Sequence, residues 1–527
     1  MDRVTSIPRR LEQRAAEHPD RPFALEVGGR ELTYGEFQAE ALQWAAALRG
    51  IGIEPGDRVV TMTTPSITAF SAWIGMAWLG AVDTACNTDY RGRMLAYLLA
   101  NSGAKAVLVE SQWVDRLAEV ADRTPALETV IVVGDEGVDG DHPWRVMSTT
   151  ELLRDVKPED DLEAPAVWDT AMMIYTSGTT GPSKGVLIPW GQQYENTVGV
   201  IPADDLDADD CYYSPFPMFH GSGRIPLCLM TASGGRFVLP GQFSPTRYWE
   251  DIRSYGCTTT GFVGAMSLFL FSQPPSDDDA DNPLKRAIML PVIPQYRDFE
   301  ERFGVKLRTC YAMTEVAPPF GTDWDITDPR SCGQVRPGFD VRLVDEHDFQ
   351  VPSGEVGELI VRHQDPWTLN QGYFGMRDKT ADAWRNGWFH TGDAFRRDEA
   401  GDYFFVDRIK DAIRRRGENI SSFEVEALVN AHPGVAETAA IAVPSEWGED
   451  DVKICVVPAE GADVTEEQLV RDLISTMPRF MVPRYVEFVE ALAKTEATHR
   501  VKKVELRRDA LNDRTWDREA AGIEVPK

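Results

Sequence analysis

Positive charge is scarce in this chain of 527 residues: 54 lysines and arginines face 84 aspartates and glutamates, for a formal net charge of −30. Nucleic acid and anionic membranes are held through a basic face, so neither is expected as a partner. Cysteine is sparse too. Seven are scattered (Cys86, Cys211, Cys228, Cys257, Cys310, Cys332, Cys455) without a Cys-x-x-Cys pair. That spacing excludes a disulfide framework or zinc site and fits reduced thiols in a cytoplasmic protein. The longest apolar stretch, Ile67 to Val82, is too short to span a bilayer and is broken by Thr68, Ser71, Gly75 and Gly80. The first residues, Met1-Asp-Arg-Val-Thr-Ser-Ile-Pro-Arg-Arg10, hold no apolar signal core. A 43% hydrophobic chain of this length supplies about three folding units at roughly 150 residues each.

Short β-branched runs, Arg58–Met62, Ala106–Val109 and Thr129–Val133, alternate with helix-length segments. This is the pattern of βαβ units and largely parallel sheets. Thr33-Tyr-Gly-Glu36 reads as a capping box that starts a helix with Phe37, Ala41, Trp44 and Leu48 on one face. Gln273–Pro283, acidic and proline-containing, reads as a surface loop. Val341–Val344 and Gly357–Val361 read as antiparallel strands, and Ser422–Asn430 as a helix beyond a boundary near Lys410.

The densest chemistry lies in Met172-Met-Ile-Tyr-Thr176-Ser177-Gly178-Thr179-Thr180-Gly181-Pro182-Ser183-Lys184-Gly185-Val186. An apolar strand enters a loop of glycines and hydroxyls with one lysine. Glycines let backbone N–H groups approach an anion, hydroxyls donate to its oxygens, and lysine adds charge, which together make a phosphate cradle. The spacing is not that of a Walker A loop, because Gly185 stands where Ser or Thr is required.

This run resembles the phosphate-loop signature of the AMP-forming adenylating superfamily, which includes acyl-CoA synthetases, adenylation domains and luciferases. Four further segments resemble the family's motifs in order: Phe216-Pro-Met-Phe-His220-Gly, Tyr311-Ala312-Met313-Thr314-Glu315, Trp388-Phe-His-Thr-Gly-Asp393, and Asp407-Arg408-Ile-Lys410-Asp followed by Arg416-Gly-Glu-Asn-Ile420 and Glu424-Val-Glu426. The resemblance spans nearly the whole chain and is nearest to the carnitine/crotonobetaine-type CoA ligases. It implies an α/β fold. A large N-terminal part (1–408) would carry two parallel-type βα sheets and a small β-barrel, with a β-rich stretch at about 335–408. A small mobile α+β domain (409–527) would follow.

The family's chemistry is ATP- and Mg²⁺-dependent activation of a carboxylic acid as an acyl-adenylate, then transfer to a thiol such as CoA after the small domain rotates. By resemblance, Thr176, Ser177, Gly178, Thr179, Thr180, Gly181 and Lys184 hold the β- and γ-phosphates. Tyr311 stacks on adenine, Thr314 contacts the α-phosphate, and Glu315 binds Mg²⁺. Asp393 and Arg408 bind the ribose, and Lys410 is the hinge. His220, Arg224, Phe262, Val263, Leu290, Val292, Ala312 and Met313 are expected around a small or aryl/alkenyl acid, with Arg224 available to a second polar or anionic group.

Three departures stand out. The usual terminal Gly-Lys pair is missing from Leu492-Ala-Lys-Thr-Glu-Ala-Thr-His-Arg500-Val-Lys-Lys503. Arg500 is its expected positional substitute as the catalytic cation, with His499, Lys502 and Lys503 as other candidates. Arg in place of Lys swaps a point ammonium for a planar fork. The glycine-rich adenine-side strand is here Met289-Leu-Pro-Val-Ile-Pro294, and Ala312 replaces a glycine. Both changes reshape the acid pocket. They keep open a second chemistry on the same fold, either nitrite activation for diazotisation of an aromatic amine or acyl transfer to an amine or carrier protein. The sequence names neither acid nor acceptor, and leaves a homodimer open.

Overall fold

The computed structural model describes residues 5–134, 142–159, 161–176, 183–408, 412–415, 418–446, 448–493, 501 and 503–526. Two seven-stranded sheets dominate. The first runs Arg145–Ser148, Thr129–Val132, Ala106–Val109, Arg58–Met62, Val82–Ala85, Thr170–Thr176 and Lys184–Pro189 in spatial order. Its strands are parallel up to the last pair, where Thr176 stands opposite Lys184 in an antiparallel ladder. The second runs Lys306–Arg308, Arg286–Leu290, Thr259–Val263, Cys211–Tyr213, Arg236–Leu239, Pro22–Glu26 and Glu31–Thr33, again parallel except at its last pair.

Thr33 caps the Tyr34–Gly50 helix and Glu36 returns the bond to its backbone, so the capping box forms as read. The apolar stretch after Ile67 becomes the helix Ile67–Leu79, buried on every side except Thr68. A helix apolar all round must lie within a core. Gly75 explains how closely it packs there, because a Cβ at that position would stand 2.6 Å from the Ala41 carbonyl oxygen. No helix among the described residues is long and apolar enough to cross a membrane.

A four-stranded antiparallel sheet, Phe339–Val344, Val356–His363, Phe389–Arg397 and Tyr403–Arg408, packs with the three-stranded sheet Cys310–Met313, Val316–Gly321 and Gln334–Val335 as a half-barrel. The two strands expected near 341 and 357 pair in it. Beyond it come the hairpin Ala412–Arg415/Glu418–Ser421, the helix Ser422–Asn430 and a four-stranded sheet that includes Val435–Pro444 and Asp450–Pro458. Gln273–Pro283 is a mostly exposed loop. All seven cysteines are free thiols.

Candidate active site

In open parallel sheets, ligands sit beyond the carboxyl ends of the strands. The strands that end at Thr176, Val263 and Leu290 place those residues at such ends. Between them, the strand Cys310–Met313 turns at Thr314-Glu315 into Val316–Gly321.

Residues 177–182 lie outside the described residues, but the cradle's two ends are defined. Lys184 projects its ammonium to 4.0 Å from the centre of the Tyr373 ring, a cation–π contact. The Tyr373 hydroxyl donates to Glu315 Oε1 at 3.2 Å, and burial beside that carboxylate pushes the phenol's pKa up. Lysine, tyrosine and glutamate thus form one chain from the phosphate loop to the expected metal position. Two amides fix the Thr314-Glu315 turn. Gln192 donates to the Thr314 carbonyl at 2.9 Å, and Asn370 donates to the Glu315 carbonyl at 2.8 Å. Glu315 itself is buried. Magnesium in nucleotide sites is held by one or two carboxylates plus substrate phosphates. A single carboxylate beside a phosphate cradle fits that ion, and the described residues hold no cluster of three or more acidic, histidine or cysteine side chains that could bind a metal unaided.

The Tyr311 hydroxyl donates to Asp393 Oδ2 at 2.6 Å, and its ring meets the edge of Phe395 at 4.8 Å. Asp393 is buried and stands opposite Arg408 across the strand pair. The Arg408 side chain lies outside the described residues, as do Lys410 and Arg500. Gly392, at φ 73°, adopts the left-handed turn that glycine favours, and its N–H donates to Glu358 Oε1 at 3.1 Å. Glu358 also faces His390 Nδ1 at 3.1 Å, and those hydrogen bonds hold its carboxyl below the usual range against burial.

A cavity of about 790 Å³ opens beside Thr314. Its wall on the large-domain side includes Ile188, Val200, Phe216, Ile225, Phe243, Val263, Met266, Leu290, Ala312 and Met313, with Asn196, His220 and Ser222 as polar points. The turn that carries His220 is possible because Gly223 lacks a Cβ, which would lie 2.0 Å from the Pro217 carbonyl oxygen. The opposite wall is charged and comes from Arg414, Arg415, Glu418, Glu449, Asp450, Asp451, Arg484 and Glu519. His220 Nε2 and Glu418 Oε1 meet at 3.1 Å across this space. Burial opposes protonation of His220, but the Glu418 carboxylate outweighs it and raises the imidazole's pKa above 6.5.

A second bridge joins the same two parts of the chain. The Ser183 hydroxyl donates to Glu424 Oε1, and burial lifts that carboxyl to about 7. Lys503, a candidate for the terminal cation, has its ammonium 2.6 Å from both Glu426 Oε1 and the Ser422 hydroxyl.

Three residues expected around the acid do not reach the cavity. Arg224 is fully buried, with Nη2 2.5 Å from Asp83 Oδ2, Nε donating to the Met218 carbonyl and its guanidinium 4.6 Å from the Trp73 ring centre. It neutralises a buried carboxylate instead of facing substrate or solvent. Phe262 packs into the core beneath the pocket, at 5.3 Å from Phe299, because alternate residues of its strand point to opposite faces. Val292 packs on that same core. Gln192, Asn196, Glu358, Asn370 and Tyr373 escaped the sequence reading, which offered no local motif for any of them.

The profile of the AMP-binding enzyme family matches residues 11–374, and that of the AMP-binding enzyme C-terminal domain matches 424–498. A crotonobetaine/carnitine–CoA ligase of Escherichia coli is 30% identical over 477 residues, covering 88% of this chain and 90% of that protein. The amide bond synthetase McbA of Marinactinospora thermotolerans superposes with a TM-score of 0.82 at 24% identity, covering 96% and 99% of the two chains. A double mutant of o-succinylbenzoate CoA synthetase from Bacillus subtilis, bound to a product analogue, superposes at 0.83 with 21% identity, covering 98% and 99%. Both superpositions establish a shared fold.

Proposed function

The chain belongs to the AMP-binding enzyme family, and on that premise we propose that it is an AMP-forming acid–thiol ligase that activates a small or aryl/alkenyl carboxylic acid with ATP and passes the acyl group to CoA. The observation that carries this reading is the continuous series Lys184–Tyr373–Glu315, which sets a phosphate-loop cation and a carboxylate beside a largely apolar cavity.

In the first half-reaction a carboxylate oxygen of the acid attacks the α-phosphorus of ATP. The bond to the β-phosphate oxygen breaks and pyrophosphate leaves. Lys184, with the loop's backbone and hydroxyls, holds the β- and γ-phosphates. Thr314 meets the α-phosphate, and Asp393 with Arg408 holds the ribose. Glu315 would hold Mg²⁺, which would supply charge neutralisation on the phosphates. In the second half-reaction the thiolate adds to the acyl carbon and AMP departs with the bonding pair. The wall carrying Glu418 closes the cavity from the small domain (409–527), which we take to turn about Lys410 between the two steps.

AMP release from ATP and Mg²⁺, measured over a panel of aryl, alkenyl and short-chain acids with and without CoA, tests the reading. AMP that requires both an acid and CoA is the expected result. AMP that appears only with nitrite and an aromatic amine, or only with an amine or carrier acceptor, replaces the thiol-ligase assignment. ADP as product overturns it.

A further inference from the structure

The acid cavity carries its charges on one side only. Among the described residues, every charged side chain on its wall comes from residues 414–519, and the large-domain wall contributes His220, already engaged by Glu418, as its one ionisable group. Arg224, the cation nearest in sequence, is committed to Asp83 inside the core. Among the described residues, an acyl group lodged against the large-domain wall meets no charged side chain from that wall. Burying an unpaired charge against that wall is unfavourable, which selects against a second carboxylate or a quaternary ammonium lodged there.

Besides His220 and Ser222, one further polar side chain breaks the apolar surface, at a defined depth. The helix Trp190–Val200 turns Gln192, Asn196 and Val200 to one face, at intervals of four residues. Gln192 is spent on the Thr314 carbonyl, at the end where the acid is activated. Val200 contributes an apolar surface two turns on, and Asn196 stands between them on the cavity wall. Four residues of helix rise roughly 6 Å, about the span of an aromatic ring with one substituent. The Asn196 amide carries two donors and an acceptor.

Building on the ligase reading, we propose that Asn196 is a specificity-determining residue and that the acid is an apolar monoacid bearing one neutral hydrogen-bonding group, a hydroxyl, amino or carbonyl, about one helical turn from its carboxylate. The amide can serve any of these three by presenting its oxygen or its nitrogen. An aryl acid with a polar ring substituent matches both the apolar wall and the spacing.

The test is acid-dependent ATP–pyrophosphate exchange with benzoate, its 3- and 4-hydroxy and amino derivatives, malonate and crotonobetaine, on the full-length protein and its Asn196→Leu and Asn196→Ala variants. We expect the best substituted benzoate to exceed benzoate by about tenfold in kcat/KM, the worth of one well-placed neutral hydrogen bond. Asn196→Leu should erase that ratio while benzoate itself and KM for ATP stay within about twofold, because its shape is kept. Asn196→Ala should give the same loss of ratio, so a packing defect peculiar to leucine is recognised. Preference for malonate or crotonobetaine overturns the proposal but leaves the ligase reading standing. So does an equal loss for benzoate and its derivatives in both variants. Exchange with no acid at all removes both.

Discussion

The Lys184 ammonium stands 4.0 Å from the centre of the Tyr373 ring, and that same ring's hydroxyl donates to Glu315. One tyrosine therefore sets the distance between the phosphate-loop cation and the carboxylate expected to hold the metal. Lys184→Ala should lower kcat/KM for ATP by roughly 10–100-fold, as expected for losing a charge-assisted contact. Tyr373→Phe keeps the ring under the lysine but removes the donor to Glu315. It should raise the Mg²⁺ concentration needed for half-maximal rate while changing KM for ATP at saturating Mg²⁺ by less than about twofold. Steady-state titrations of ATP and Mg²⁺ separate the two variants, and identical behaviour of both would contradict the arrangement.

Arg224 and Asp83 form a fully buried ion pair, so removing one partner leaves an uncompensated charge. Arg224→Leu and Asp83→Asn should each destabilise the protein by about 3–5 kcal/mol. Asp83→Asn with Arg224→Leu together should cost less than the sum. Denaturant unfolding of the three variants measures this. Additive losses would mean that the two groups do not interact.

The contact between His220 and Glu418 is expected to depend on pH. The folded imidazole has a pKa raised above 6.5, so the folded state holds the proton more tightly than the unfolded one. Its stabilisation is fully present below 6.5 and is lost as pH rises through the folded value. Glu418→Gln should therefore lower the melting temperature below that window and converge on wild type above it. A difference that is constant with pH would rule out the ion pair as its source.

Glu424 shifts in the same direction, but here the proton-bound form is neutral. Its carboxyl titrates near 7 instead of 4.5, chiefly through burial, with Ser183, Tyr90, Tyr97 and Arg93 around it. The folded state again binds the proton more tightly, so its ionisation costs stability progressively between pH 4.5 and about 7. Glu424→Gln, a mimic of the neutral acid, should match wild type near the low end and exceed it above about 7. Thermal melts across that range decide, and a variant less stable than wild type throughout would overturn the assignment.

What the sequence made legible was local. The capping box at Thr33, the strand that runs into the glycine- and hydroxyl-rich loop, and the alternation of strand and helix each lie within a few to a few tens of residues. Their hydrogen bonds and periodicities are written in adjacent positions. The fate of Arg224 was not legible, because its partner lies 141 residues away and nothing near Asp83 announces a buried cation. Tyr373 and Gln192 were missed for the same reason, the latter reaching Thr314 over 122 residues. Phe262 and Val292 were expected around the acid. Strand alternation and core packing turned them elsewhere.

The strands Pro22–Glu26 and Glu31–Thr33 close a sheet whose next member is Arg236–Leu239. They pair with each other locally, but their neighbour in the sheet lies far along the chain. During synthesis the ribosome must add some two hundred residues before Phe237 can stand opposite Ala24, a wait of roughly 10–40 seconds at about 5–20 residues per second. Throughout it, the strand carrying Phe23 and Leu25 lacks the parallel neighbour that completes its edge. The Pro22–Glu26 strand is thus one that a holding chaperone would protect during synthesis. Chains stalled before residue 236 should be cut there by protease that spares the finished protein.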